Sequence, residues 1–151
     1  MKVSVREVNA PTISEYYWSS GGVITRLSKD GKGYAAIYKV DVLDLEVTYM
    51  CYIYIMIGNN GWEVVNSERL PGKIKTINIT ATGTNPVYIS AWFDSYHLEY
   101  YDYKYKLTGE YGGMWVLCTM KGTFYMDDFV EETTMTDIET GSIGCIKALF
   151  K

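Results

Sequence analysis

Hydrophobic and polar positions alternate along most of this chain, and most clearly over residues 46–57, EVTYMCYIYIMI. Val47, Tyr49, Cys51, Ile53, Ile55 and Ile57 share one face at the two-residue period of a strand, and Glu46, Thr48, Met50, Tyr52, Tyr54 and Met56 share the other. The pattern predicts an interior strand, returned by the turn Gly58-Asn59-Asn60-Gly61 into Trp62–Asn66. Tyr34–Val42 has the same period and is joined to Val23–Ser28 by Lys29-Asp30-Gly31-Lys32-Gly33, a strong hairpin signal. Lys73–Thr82 sets Ile77, Ile79 and Ala81 against a Thr-rich exterior, and Val87–Phe93 turns Val87, Ile89, Ala91 and Phe93 inward and Tyr88, Ser90 and Trp92 outward. Tyr96–Leu107 is expected as one further strand. Met114–Met120 is almost continuously apolar, as a strand covered on both sides would be.

Between these runs the glycine pairs at 21–22 and 112–113 read as turns. From Asp127 to Glu139 acids accumulate without a base, which reads as a solvated loop with one helical turn. Lys2–Val8 and Ile143–Phe150 are strand-like and lie at the two ends, where an unpaired edge invites pairing with another sheet. About ten short strands separated by Gly, Asn, Asp or Pro predict an all-β fold, an antiparallel β-sandwich forming one domain over 1–151. A jelly roll suits the strand number best. The alternative is an immunoglobulin-like sandwich, whose Cys, Trp, Cys order Cys51, Trp62 and Cys118 resemble, with Val116 where that fold has its corner tyrosine. The core is expected to contain Val47, Cys51, Ile53, Ile55, Ile77, Ile79, Val87, Ile89 and Val116.

Composition sharpens the picture at three points. The count of 15 Tyr is high; it favours strands first and an assembly surface second. Met50, Tyr52, Tyr54 and Met56 form a face too apolar for open solvent, so they, with Val3 and Val5 of the first strand and Ile146 and Phe150 of the last, are the expected subunit interface. The three cysteines lie far apart in apolar contexts and are expected as free thiols. A formal charge of -4 supplies no basic field for nucleic acid, and no apolar segment is long enough for a membrane span or, at the N-terminus, for a signal peptide.

Candidate chemistry is sparse. His97 is the sole histidine, so any Ser-His or Cys-His site must run through it, and the sequence supplies neither nucleophile nor orienting acid. Its fit to the His-x-Glu of zinc deaminases lacks the accompanying Pro-Cys-x-x-Cys, and the acidic run lacks the Asp-x-Asp-x-Asp-Gly of a calcium loop. No catalytic residue, cofactor or metal is therefore expected. Tyr88, Trp92, Tyr96 and Tyr100 form a candidate platform on which sugar rings could stack. The function expected first is a structural, self-assembling sandwich, such as a virion capsid, turret or tail component, acting as a homo-oligomer or with other structural subunits. Its place is the virion if the source is viral, and otherwise a soluble compartment. A non-catalytic carbohydrate-binding module is second and a small enzyme third.

Overall fold

The computed structural model describes residues 2–5, 7–9, 17–43, 46–118 and 124–132. The strands are β1 (Lys2–Val5), β2 (Glu7–Asn9), β3 (Tyr17–Leu27), β4 (Lys32–Leu43), β5 (Glu46–Ile57), β6 (Trp62–Leu70), β7 (Ile77–Thr82), β8 (Val87–Phe93), β9 (Tyr96–Asp102), β10 (Tyr111–Cys118), β11 (Tyr125–Asp127) and β12 (Val130–Glu132). A first sheet has the order β12-β1-β7-β8-β9 and a second the order β10-β3-β4-β5-β6, all pairs antiparallel, with β11 and β2 forming a small separate ladder. The two five-stranded sheets pack face to face, so the fold is the expected all-β sandwich.

The strand order departs from both expected topologies. A jelly roll sends successive strands to alternate sheets, whereas here β3–β4–β5–β6 and β7–β8–β9 are meanders of sequential neighbours. An immunoglobulin-like sandwich divides strands B and C between its two sheets, whereas β3 to β6 all lie in one sheet here, and the Cys51 thiol is free and buried.

The core lies between the sheets and follows the alternation. Cys51, Ile53 and Ile55 of β5 meet Val3 and Val5 of β1, Ile77 and Ile79 of β7 and Val87 and Ile89 of β8, all buried. Val47 packs against this cluster while half-buried, and Val116, expected inside, is 49% exposed. The reason is position in the sheet. β10 pairs with β3 at the margin of the second sheet, so the apolar run that suggested cover on both sides belongs to a marginal strand.

Four further expectations are corrected. β3 runs straight through Ser19-Ser20-Gly21-Gly22, because the glycines make room rather than a turn. A Cβ on Gly22 would stand 1.8 Å from the Ala36 carbonyl oxygen, and one on Gly21 would stand 2.6 Å from the Phe124 ring. Gly22→Ala is therefore expected to lower the melting temperature by several degrees, since the backbone of β4 would have to move; an unchanged melting curve would refute this tight approach. Gly112 and Gly113 likewise lie within β10. Over 127–132 the acidic stretch contributes to β11 and β12, where a loop with a helical turn was expected; 133–151, with Ile146 and Phe150, lies outside the described residues.

The fourth concerns Tyr96–Leu107, which ends as a strand at Asp102. The Asp102 carboxylate accepts hydrogen bonds from the backbone N–H of Lys104 and Tyr105 on Oδ1 (both 2.9 Å) and of Lys106 on Oδ2 (2.7 Å), gathering the chain around itself. The Tyr34 hydroxyl donates to the same carboxylate at 2.6 Å and accepts from the Leu107 N–H at 2.8 Å. Nearby, Arg26 has a positive φ of 51° at the irregularity between β3 and β10 and donates to the carbonyls of Leu107 (3.1 Å) and Gly83 (2.8 Å). This polar node fastens the 103–110 segment to both sheets.

Candidate functional site

The outer face of the second sheet carries a second, smaller hydrophobic cluster. Register places Trp115 of β10 beside Gly22 of β3, Gly22 beside Ile37 of β4, and Ile37 beside Tyr52 of β5. One step along, Ile24, Ala35 and Tyr54 are aligned, and Met56 stands opposite Trp62 of β6. Gly22 and Ala35, with little or no side chain, lie buried in the middle of the sheet. Over it Trp62 from one margin and Trp115 from the other meet edge to face at 5.6 Å. Tyr54 completes a triangle with them, stacked on Trp62 at 5.9 Å and edge-on to Trp115 at 6.0 Å, with Tyr52 at 5.4 Å from Tyr54.

The expected Met and Tyr face is thus real but differently populated. Tyr52, Tyr54 and Met56 join Trp62 and Trp115, which come from the two marginal strands, while Met50 sits between Lys39 and Arg69 in the register. Aromatic neighbours cover Tyr54 closely enough that burial, then the adjacent Tyr52, pushes its hydroxyl up to about 12. The surrounding apolar groups remain open: Trp62 is 44% and Val64 49% exposed. Val3 and Val5, expected at a subunit contact, are buried inside the chain's own core, because β1 lies between β7 and β12 rather than at an edge.

The outer face of the first sheet is a regular grid. One row is Thr82, Tyr88 and Tyr101; the next is Thr80, Ser90 and Glu99; the third is Asn78, Trp92 and His97. Trp92 and His97 stack at 4.2 Å with 14° between their planes, and Tyr88 and Tyr101 lie 4.8 Å apart. Ser90 Oγ hydrogen-bonds His97 Nε2 at 2.7 Å, and the Tyr88 hydroxyl donates to Glu99 Oε2 at 2.8 Å. Of the four aromatics expected to form a platform, Tyr88 and Trp92 are here. Tyr96 and Tyr100 pair with Phe93 and Ile89 and pack against the core instead. Their places are taken by His97 and Tyr101.

Ser90 and His97 are a hydroxyl and a base in contact, but Glu99 bonds Tyr88, so the arrangement fixes the rings rather than assembling a Ser-His-acid relay. Among the described residues no group of three His, Cys, Asp or Glu could hold a metal ion. A pocket of about 220 Å³ opens beside the polar node, lined by Arg26, Ser28, Lys32, Lys106 and Thr108 among others. The Cys51 thiol hydrogen-bonds the Glu68 carbonyl at 3.4 Å, and burial, with Glu68 adding to it, pushes its pKa up to about 11. Cys51 is accordingly expected to resist iodoacetamide in the native protein at neutral pH and to react in denaturant without reductant, read by peptide mass spectrometry. Rapid native labelling would contradict its burial.

Comparison with family models, curated proteins and solved structures gives no match to this chain. No helix among the described residues is long and apolar enough to cross a membrane.

Proposed function

We propose that the chain is a structural, self-assembling β-sandwich subunit, of the kind that builds a virion capsid, turret or tail, and that it associates with a second copy through the outer face of the second sheet. The observation that carries this reading is the aromatic cluster of Tyr52, Tyr54, Trp62 and Trp115 on a face where an antiparallel sheet ordinarily turns polar side chains to water. Lys39, Asp41 and Arg69 border the patch with both signs of charge, which suits a two-fold contact in which the same surface meets itself. This surface supports association with a second copy, and the virion setting is the context in which such a sandwich subunit is proposed to act.

The test is size-exclusion chromatography with light scattering on the full chain and on Trp62→Lys and Val64→Lys. Both side chains are exposed, so the fold should survive. Association is expected to weaken by roughly tenfold or more in each variant, as for exchange of an interface anchor by a charge. Unaltered oligomer size in both would overturn this choice of surface.

A further inference from the structure

The outer face of the first sheet supports a separate activity, independent of assembly. Two aromatic pairs, Tyr88 with Tyr101 and Trp92 with His97, flank a polar row containing Ser90 and Glu99. Four residues along β8 separate the pairs by roughly 13 Å, at about 3.3 Å per residue. Both pairs are held in place before any ligand arrives, by the Ser90–His97 and Tyr88–Glu99 hydrogen bonds and by ring stacking. They also remain accessible, with Trp92 39% and Tyr101 50% exposed.

Charge narrows the ligand. Within the three rows Glu99 is the sole carboxylate and there is no Lys or Arg. In the neighbouring β1, Lys2 is paired with Glu132 at 3.6 Å. Lys2 continues the Ser90 and Glu99 row beyond Thr80 but is already paired, so the face offers little to neutralise a phosphate backbone or an acidic peptide, and one acid engaged by a tyrosine offers little to a polycation. It matches a neutral ligand that alternates apolar faces with hydroxyl groups. A pyranose has that character: its ring hydrogens pack on an aromatic face, while its hydroxyls both donate and accept.

We propose that this face binds a neutral oligosaccharide laid along β8. One sugar ring rests on the Trp92 and His97 pair and another on the Tyr88 and Tyr101 pair, at about the reach of a trisaccharide. The hydroxyls between them meet Ser90 and Glu99. The aromatic pairs supply most of the affinity and the polar row sets orientation.

Affinity electrophoresis tests this with the full chain in native gels cast with hydroxyethylcellulose, xylan, galactomannan or a soluble β-1,3-glucan. The parent protein is expected to be retarded by at least one of them. Trp92→Ala and Tyr101→Ala should each weaken that retardation roughly tenfold, the scale of losing one well-packed aromatic contact. Trp92→Phe and Tyr101→Phe, which keep a ring, should retain most of it, and Trp62→Lys on the opposite sheet should bind like the parent. Thermal melting checks the fold of every variant, and Tyr101→Ala carries the test if Trp92→Ala does not fold. Free migration of the parent in all four gels, or retardation of a folded alanine variant equal to the parent's, overturns the proposal. Because Trp62→Lys separates the two surfaces, loss of sugar binding and loss of assembly are distinguishable.

Discussion

Asp102→Ala is expected to destabilise the protein by about 3 to 5 kcal/mol, measured by urea unfolding, because it leaves a buried hydroxyl and several backbone N–H groups without their acceptor. Asp102 is 1% exposed and accepts from Tyr34 and from the backbone of Lys104, Tyr105 and Lys106. Burial alone pushes its carboxyl up, but the hydrogen bonds from Tyr34 and these N–H groups outweigh it and hold it below the ordinary carboxylate value. The folded value is thus depressed. The stability it contributes is fully present above the unfolded pKa of about 3.9 and is lost as pH falls through the folded value. Asp102→Asn cannot titrate there, so its stability should fall less steeply than the parent's between neutral and strongly acidic pH. Tyr34→Phe should cost less, about 2 kcal/mol, since the carboxylate keeps its backbone donors. An Asp102→Ala variant within about 0.5 kcal/mol of the parent would refute the role of the node.

The second large effect is in the apolar core. Ile53→Ala and Ile55→Ala each remove a fully packed side chain from the β5 face that meets the first sheet, at an expected cost of about 2 to 5 kcal/mol. A change below about 0.5 kcal/mol for both would mean that the two faces of β5 are reversed. Deleting residues 1–8 belongs with these substitutions. Loss of assembly was the natural expectation for a terminal arm, but β1 is an inner strand with Val3 and Val5 in the core, so the deletion should unfold the sandwich.

What could be read beforehand follows from how local each cause is. The face of β5 was legible because its alternation spans 12 residues and one side must enter a core. The glycines at 21–22 misled because their necessity comes from Ala36 and Phe124, and the distant Phe124 is invisible to a turn rule. The alternation over 96–107 continues past the strand's end, and only the buried Asp102 explains why the backbone leaves the sheet.

The two surfaces show the same division. That Met and Tyr gather on β5 was evident, but the meeting of Trp62 with Trp115 depends on a register spanning five strands. The grid of the first sheet was within reach. Asp94-Ser95 is a two-residue hairpin turn, with Asp94 at a positive φ of 52°, and pairs Phe93 with Tyr96. An inward Phe93 therefore requires an inward Tyr96 and an inward Tyr100, which leaves His97 and Tyr101 outside.

Sedimentation velocity of the 151-residue chain, from micromolar to millimolar concentration and joined to negative-stain microscopy, tests self-assembly most directly. The account predicts a sedimentation coefficient that rises with concentration and particles of regular size, both lost in Trp62→Lys. A strictly monomeric chain across the whole range, with no particles on the grid, would contradict it.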